Sequence, residues 1–257
     1  MAQSLVILAK WPEAGQSKTR LAEEVGSEQA LALAHAFLRD TLRRFQVLPY
    51  RKVLAYSPGA AQTQFAAVAG TDYLLRAQTE GDLGARLQAL LLEEWQAGFS
   101  EIVFLGTDSP TLPLPWVDQA FALLRQVDVV IGPAVDGGYY LLGCRRSARW
   151  IVMLERLSIS QTMASSLVPD PLNSASDHTS RLPIFADIAW GSSQVLNQTV
   201  ARLESYGLRL GLLPVWYDVD TSRDWAFLQA HLRALRWAGV GPVLPHTEAL
   251  LAEASDE

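Results

Sequence analysis

The chain has 257 residues, 49% of them apolar, enough for one large α/β domain or two small ones with a substantial buried core. Its net charge of −6 argues against nucleic acid or an anionic membrane surface as the main partner. The single cysteine excludes an internal disulfide, and the four histidines lack ligand-like spacing, which argues against zinc. No apolar stretch reaches the length of a membrane span, and we predict a cytoplasmic protein.

The N-terminal segment predicts a strand followed by a phosphate-binding loop. Leu5 to Ala9 is an apolar run of strand length, and the loop from Lys10 to Arg20 is rich in turn formers and carries three cations. Lys18 and Arg20 follow Gly15 closely, and α/β proteins use loops of this kind to hold phosphates. The glycine spacing differs from that of a Walker P-loop. The alternative is a solvated basic loop, and we favour phosphate binding.

Helices and strands then alternate through the first half of the chain. Ser27 is predicted to cap a helix, and short strands are predicted at 53–56 and 73–75 with a helix between them. Another helix opens within 78–86 and runs to about Trp95. Asp82 in that segment is compatible with a carboxylate at the helix N-terminus, and Arg86 with a solvated cation.

The segment 101–110 holds the central acidic candidate. Ile102 to Leu105 has the composition of a strand buried on both faces, and Asp108 follows it. A parallel strand that ends at a carboxylate delivers it to the crevice beyond the strand, where open α/β sheets bind ligands. The alternative, an Asp that caps a turn before the helix predicted at 115–126, is about equally well supported by this one residue.

The second half continues the alternation. A strand at 127–131 leads to Asp136, two adjacent glycines and a tyrosine pair that lies beside a ligand or packs as a strand. The segment 158–183 loses apolar periodicity and predicts a flexible insertion. There follow a helix capped by Ser193, a strand at 208–213, the acidic turn Asp218 to Asp220, a final helix at 224–237 and an acidic tail. The pattern predicts an α/β fold with a mostly parallel sheet and a single domain over 1–257.

Three acidic turns, at Asp108, Asp136 and 218–220, each follow a strand or strand-like run, and the basic loop complements them. Carboxylates for a divalent cation together with cations for phosphates make a site that handles pyrophosphate. We therefore predict Mg²⁺ or Mn²⁺ as the cofactor, since these ions bridge phosphate oxygens and need only one or two protein carboxylates.

Four blocks in the chain carry a resemblance to a known family. They read LVILAKxPxxGxxKTRL at 5–21, GTDSP at 106–110, GPAxDGGYYLLG at 132–143 and DVDTxxD at 218–224. In this order they resemble the bacterial family of glycosyltransferase-like proteins with the GT-A, nucleotide-diphospho-sugar transferase fold. That family is distantly similar to the guanylyltransferases that activate phospholactate and the molybdenum cofactor. The resemblance implies one Rossmann-like GT-A domain, with a mostly parallel central sheet and helices on both faces.

The resemblance also implies roles for individual residues. Donor and phosphate binding would fall to the basic loop and to the block around 82–86, through Lys10, Gly15, Lys18, Arg20, Asp82 and Arg86. Asp108 matches the metal-binding aspartate of the fold, and Asp220 matches a second metal ligand. The acceptor side would comprise Asp136, Gly137, Gly138, Tyr139 and Trp190. Asp136 is the candidate general base, with turn stabilisation as the equally supported alternative.

Three functions remain open at this point. They are a glycosyltransferase that uses a nucleotide sugar, a guanylyltransferase-like nucleotidyltransferase that uses a nucleoside triphosphate and releases pyrophosphate, and a nucleotide-binding protein without turnover. The family grouping narrowly favours glycosyl transfer. The acceptor, a small molecule, stays undetermined, because 158–183 and Trp190-Gly191-Ser192, which replaces the family's Trp-Ser-Thr, depart from the pattern.

Overall fold

The computed structural model describes residues 2–152 and 181–253, and a seven-stranded sheet forms its centre. The strands are β1 (Gln3–Lys10), β2 (Arg51–Ser57), β3 (Leu74–Ala77), β4 (Glu101–Leu105), β5 (Val129–Pro133), β6 (Tyr139–Arg145) and β7 (Leu210–Leu212). They are arranged in the order β3-β2-β1-β4-β6-β5-β7, and β6 runs antiparallel to both of its neighbours. The other described pairs are parallel, as the apolar strands predicted.

Helices pack on both faces of this sheet. They are α1 (Thr19–Val25), α2 (Ser27–Phe45), α3 (Gln62–Ala69), α4 (Leu83–Gln96), α5 (Pro115–Leu124), α6 (Val195–Ser205), α7 (Ser222–Trp237) and α8 (Pro245–Glu253). One face meets α2, α3 and α5 through Leu38, Phe65 and Phe121, and the other meets α4 through Leu87 and Leu91. Every residue of β4 between the two layers is buried. The predicted fold class is confirmed.

A third apolar cluster joins α1, α2, α7 and α8 outside the sheet, and it includes Leu21, Phe37, Trp225 and Leu244. Sequence analysis did not predict α1 or α8. The seven residues of α1 are cut off from α2 by Gly26, at φ 88°, so no long periodic stripe marks it. The start of α8 is held by Asp40 on α2, a contact between residues 206 positions apart that local patterning does not reveal.

Two predicted helix caps are wrong. Ser27 is the first residue of α2 and makes no capping bond, because Gly26 occupies the cap position. Helix α6 starts at Val195 after Gln194, so Ser193 lies before its cap. In both cases a tight turn with a positive-φ glycine precedes the helix and sets its start.

The predicted insertion at 158–183 lies mostly outside the described residues. Its last three residues, 181–183, are described, and there Leu182 is buried and Pro183 begins a short 3₁₀ turn that ends at Phe185. The extent of the insertion and the single domain over 1–257 therefore stay predictions. Within the ranges that the structure describes, no helix has the length and apolar character needed to cross a membrane.

Candidate active site

Four loops meet at one edge of the sheet. The basic loop leaves β1 and the loop of Asp108 leaves β4, and these two strands are parallel neighbours. Because β5 and β7 point the same way as β4, the turn 134–138 and the segment 213–220 leave from this edge too. The order of the strands also reverses between β1 and β4, and such a switch point opens a crevice for ligands.

Lys18 lies between two carboxylates in this crevice. Its Nζ donates to Oδ1 of Asp108 and, at 2.9 Å, to Oδ1 of Asp220. Arg20 reaches the other oxygen of Asp220 at 3.3 Å. The Lys18 side chain is 6% exposed, whereas that of Asp108 is 49% exposed. The structure thus brings together four predicted site residues, Lys18, Arg20, Asp108 and Asp220, from distant parts of the chain.

The backbone is arranged to hold this cluster. Lys18 has φ 51° and ψ 42°, a left-handed conformation that costs a residue with a side chain about 1–3 kcal/mol. The amide of Val219 donates to the carbonyl of Asp108 at 2.9 Å and joins the two acidic loops. Burial by itself lowers the pKa of Lys18, but the charges of Asp108 and Asp220 outweigh it and raise the pKa above its ordinary value. The ammonium therefore stays charged at neutral pH.

Asp218 adds a third carboxyl group to the crevice. The hydroxyl of Ser109 donates to its Oδ1. Burial raises the pKa of Asp218 to about 7; the bond from Ser109 opposes this rise, and the charges of Asp108, Asp136 and Asp220 add to it. A carboxyl group with a pKa near neutrality can take up or release a proton under physiological conditions.

Three cavities adjoin around these groups. The largest, of about 590 Å³, has Arg20, Asp136, Tyr217, Asp218, Asp220, Arg223 and Phe227 among its lining residues. One of about 240 Å³ lies along the basic loop and is lined in part by Lys10, Ser17, Lys18, Asp108 and Asp220. An apolar one of about 170 Å³ is lined in part by Leu8, Leu83, Leu87, Phe104, Asp108 and Asp218. Asp108, Asp218 and Asp220 each line two of these cavities and therefore lie where the cavities meet. We call the cavity of about 590 Å³ the wide cavity, that of about 240 Å³ the loop cavity and that of about 170 Å³ the apolar cavity.

The rest of the basic loop supports the loop cavity. Lys10 lines it and donates from Nζ to the side chain of Gln16 at 3.3 Å. Gly15 has φ 71°, and a Cβ there would meet nothing within 4 Å. The backbone conformation, and not a lack of space, is what favours glycine at this position.

Asp82 and Arg86 make local contacts in the structure. Asp82 caps α4 by accepting the amide of Ala85 at 2.9 Å, and its other oxygen accepts from Arg181 at 2.7 Å. Arg86 donates to the carbonyl of Gly81 at 3.0 Å and to Gln78 at 3.3 Å. Neither side chain lines the three cavities. The capping contact matches the alternative given for Asp82, and donor binding by either residue stays a prediction.

The turn at 136–138 combines a structural bond with a place in the wide cavity. Asp136 lines the cavity and also accepts the amide of Gly138 at 2.9 Å, so both of its predicted roles are compatible with the geometry. Gly137 has φ 91°, and a Cβ there would lie 2.2 Å from the carbonyl oxygen of Ser193. This turn therefore needs glycine for its conformation and for its close packing against the loop before α6.

Tyr139 and Trp190 pack against each other at the other side of the crevice. Tyr139 begins β6 and lines the apolar cavity, so it is both a strand residue and a cavity residue. Its ring meets that of Trp190 edge to face, with centroids 6.5 Å apart. Trp190 is pressed onto α4, where a Cβ on Gly84 would lie 2.6 Å from its Nε1. Contact of Trp190 with an acceptor stays a prediction.

Two residues of the site, Asp218 and Arg44, were not predicted from the sequence. Asp218 was noted in its acidic turn but not singled out, although it lies at the same strand end as Asp220. Arg44 on α2 donates to the carbonyls of Pro110 and, at 2.6 Å, Leu112, and so fixes the loop after Asp108. Burial lowers the pKa of Arg44 to about 10. Nothing in the sequence distinguishes it from its neighbour Arg43.

The site offers a pair of carboxylates for a cation. In the described part of the chain, no group of three or more His, Cys, Asp or Glu side chains is placed to enclose a metal ion. Asp108 and Asp220 nevertheless converge on one cationic atom, the Nζ of Lys18. Mg²⁺ is commonly held by one or two carboxylates, with phosphate oxygens and water as its other ligands. The residues present therefore fit an ion that binds together with a phosphate.

Comparison with known proteins finds a matching family model and relatives that are named as transferases. The model of a family described as an uncharacterized protein conserved in bacteria (DUF2064) matches residues 41–161. A solved structure from Desulfovibrio desulfuricans G20, provisionally named a nucleotide-diphospho-sugar transferase, is 30% identical. The superposition has a TM-score of 0.77 and covers 100% of this chain and 96% of that one.

Two nucleotidyltransferases are also similar to the chain, one over a smaller part of its length and the other at lower identity. A 3-phospho-D-glycerate guanylyltransferase of Phenylobacterium zucineum (strain HLK1) is 32% identical over 133 residues, which are 50% of this chain and 61% of that enzyme. The chain thus matches less than two thirds of the length of this curated relative. A cytidylyltransferase from Leptospira borgpetersenii serovar Hardjo-bovis (strain JB197) shares the fold, with a TM-score of 0.52 at 13% identity, over 100% of this chain and 94% of that one.

Proposed function

The chain belongs to the bacterial family of GT-A-like, nucleotide-diphospho-sugar transferase-fold proteins, and from this premise we propose that it is a divalent-metal-dependent nucleotidyltransferase. It would transfer a nucleoside monophosphate from a nucleoside triphosphate to a phosphorylated small molecule and release pyrophosphate. The transferase class agrees with the names of all three relatives. A cytoplasmic location is part of the proposal, since the single cysteine is buried and free.

The contact of Lys18 with Asp108 and Asp220 carries this proposal. It places a buried cation and two carboxylates at the junction of the loop cavity and the wide cavity. A triphosphate in the loop cavity would present oxygens that compete with the carboxylates for the ammonium. Lys18 would then move its bonds to the phosphates and leave Asp108 and Asp220 for the metal. A divalent ion held there with phosphate oxygens would neutralise charge on the leaving group.

The residues of the chain divide the remaining work. Lys10, Lys18 and Arg20 would bind and orient the phosphates, and charge-assisted bonds of this kind are about twice as strong as neutral ones. An acceptor phosphate in the wide cavity would attack the α-phosphorus through one oxygen. The bond from that phosphorus to the bridging oxygen would break as pyrophosphate leaves. Because the acceptor phosphate is already an anion, this reaction needs no general base, and Asp136 would orient the acceptor.

The apolar cavity is suited to the nucleoside. It opens beside Asp108 between β1, β4 and α4, and its walls are mostly Leu and Phe side chains. Flat, largely apolar groups bind in cavities of this kind, with a few polar groups to fix their orientation. Asp82 and Arg86 would contribute to nucleoside binding indirectly, by holding in place the loop at the start of α4.

Glycosyl transfer, which sequence analysis ranked first, is the second candidate. The provisional name of the D. desulfuricans protein favours it. In that reaction Asp136 would be the general base, and a nucleoside diphosphate would leave the sugar. Nucleotidyl transfer now ranks first because the curated relative that is 32% identical is a guanylyltransferase.

The released product separates the two reactions. The full-length protein should be incubated with Mg²⁺ or Mn²⁺, each of the four nucleoside triphosphates, and 3-phospho-D-glycerate or another small phosphorylated acid. We expect pyrophosphate release that depends on the acceptor and is lost in Lys18→Met. A nucleoside diphosphate released from a nucleotide sugar would favour glycosyl transfer. A lack of both products across triphosphates and nucleotide sugars would favour a binding protein without turnover.

A further inference from the structure

We propose that the wide cavity selects an acceptor that joins an apolar or ring-shaped body to an anionic group. Phe227 and Val135 would contact the body, and Arg223 would bind the anion. The inference rests on the proposed function, because it takes the wide cavity as the acceptor side.

Two apolar side chains are exposed inside the wide cavity. Phe227 is 53% exposed and Val135 is 76% exposed, and both line the wide cavity. The Phe227 ring packs edge to face on Tyr217, with centroids 4.8 Å apart. Apolar side chains grouped on the wall of a concave site, with polar groups beside them, are typical of ligand-binding cavities.

This aromatic wall is held in place from behind. The hydroxyl of Tyr217 lies 2.9 Å from Oγ1 of Thr111 and 2.8 Å from Nδ1 of His231. His231 and Phe227 also pack on each other, with centroids 5.7 Å apart. A wall fixed by two hydrogen bonds loses little freedom when a ligand packs on it, which favours binding.

Arg223, the second residue of α7, adds a positive charge to the wide cavity. Its side chain is exposed and lines the wide cavity, and it has no hydrogen bond or ion pair with the residues that the structure describes. Arg20, in the same wall, is paired with Asp220. Arg223 is therefore a cation that forms no ion pair with the described residues, in a cavity that also contains an apolar wall.

None of the four aspartates of this wall pairs with Arg223 in the described structure, and each accepts a hydrogen bond from another group. Asp224 accepts three, from the amides of 220 and 221 and from the hydroxyl of 221. Asp220 pairs with Lys18 and Arg20, and Asp218 accepts from Ser109. Asp136 accepts from Gly138. Among the charged side chains of this wall, Arg223 is the one that has no hydrogen bond or ion pair with the described residues.

Binding of three small probes tests this inference. Full-length protein, with Mg²⁺ and saturating tripolyphosphate to occupy the loop cavity, should be titrated by calorimetry or ligand-observed NMR. Phenyl phosphate carries both features, glycerol 3-phosphate has the anion without the ring, and benzyl alcohol has the ring without the anion. We expect phenyl phosphate to bind about tenfold more tightly than either of the others.

Substitutions test the contact with the anion and the contact with the apolar body separately. Arg223→Gln should weaken phenyl phosphate about tenfold and leave benzyl alcohol unchanged, and Arg223→Lys should restore part of the affinity. Phe227→Ala should weaken phenyl phosphate and benzyl alcohol by about fivefold and glycerol 3-phosphate little. The matched controls are Arg233→Gln and Trp237→Ala, since both residues are exposed on the same helix and lie outside the cavity.

Two results would overturn the inference. One is equal binding of phenyl phosphate to Arg223→Gln and Arg233→Gln. The other is binding of phenyl phosphate only when tripolyphosphate is left out, which would place the probe on the basic loop. The proposed function fails separately: if tripolyphosphate binds equally well to Lys18→Met, the loop cavity is not the phosphate site, whatever phenyl phosphate does.

Discussion

Asp108 is the residue whose loss should affect turnover most directly. Its carboxylate is half exposed at the point where the loop cavity and the apolar cavity meet, and its backbone carbonyl anchors the 218–220 turn. Asp108→Asn keeps the shape and removes the charge, so we expect kcat to fall by on the order of 10² or more. Steady-state kinetics with saturating metal would measure this. Asp72→Asn, an exposed carboxylate outside the site, is the control and should keep full activity.

Asp218 should make the stability of the metal-free protein depend on pH. Burial raises the folded-state pKa of Asp218 to about 7, above the value of about 3.8 expected in the unfolded chain. Between these values the unfolded state releases a proton that the folded state keeps, so the free energy of unfolding falls as pH rises from about 4 to 7. Asp218→Asn has no ionisable group at this position, so it should not show this fall in the free energy of unfolding.

The Asp218→Asn variant should therefore be more stable than the wild type at pH 8 and nearly equal to it at pH 4. A gain of at least about 1 kcal/mol at pH 8 would raise the melting temperature by roughly 2–4 °C. Thermal unfolding across this range, with a chelator present, gives the comparison. A constant difference between the two proteins at all pH values would contradict the assigned pKa.

At the scale of elements, α4 meets the Trp190 turn through a glycine. A Cβ on Gly84 would lie 2.6 Å from Trp190 Nε1 and 2.8 Å from the Phe185 carbonyl. Alanine is the better helix former, but the forced shift of these neighbours should dominate. We expect Gly84→Ala to lower the free energy of unfolding by about 1–3 kcal/mol, measured by denaturant unfolding. Gly59→Ala enters open space and should change stability by less than about 0.5 kcal/mol.

The terminal helix α8 depends on one carboxylate of α2. Buried Asp40 accepts the amides of His246 and Thr247, at 3.1 and 2.8 Å, and the Thr247 hydroxyl at 2.7 Å. Asp40→Ala leaves these donors without a partner, and we expect a loss of about 1–3 kcal/mol. Proteolysis near 245–253 should also become faster. Glu248→Gln on the same helix removes a partly exposed ion pair with Arg236 and should cost less than about 1 kcal/mol.

At the scale of the whole molecule, hydrophobic patterning predicted the sheet and most of its helices, because buried parallel strands such as 102–105 are apolar throughout. The pattern of acidic turns and a basic loop predicted that Lys18, Asp108 and the 218–220 turn share a site, and the resemblance to a family supplied Asp108 and Asp220 as the two metal ligands. Neither source revealed Arg44 or Arg223. The role of Arg44 comes from contacts across the fold, and that of Arg223 from its place in a cavity where it pairs with none of the described residues. The local capping of Asp82 was foreseen, but its bond to Arg181 joins residues 99 positions apart.

Binding of the nucleotide donor should raise the melting temperature of the whole protein, and this rise should depend on the buried Lys18. A ligand at about 100 times its dissociation constant stabilises the native state by about 2.7 kcal/mol, and each kcal/mol moves a domain of this size by roughly 2–4 °C. The preferred nucleoside triphosphate with Mn²⁺ should therefore raise the melting temperature by roughly 5–10 °C. The shift should shrink as salt is added, because phosphate contacts with exposed Arg20 are screened.

Lys18→Met separates this effect from binding elsewhere on the surface. The variant removes the cation between Asp108 and Asp220 and leaves two carboxylates facing each other, so metal alone should stabilise it more than it stabilises the wild type. Its shift with nucleotide and Mn²⁺ should nevertheless be smaller, because the phosphates lose their buried partner. Arg39→Met, at an exposed position of α2, is the control for a lost charge. An undiminished nucleotide shift in Lys18→Met would place the phosphates outside the loop cavity and refute the proposed donor site.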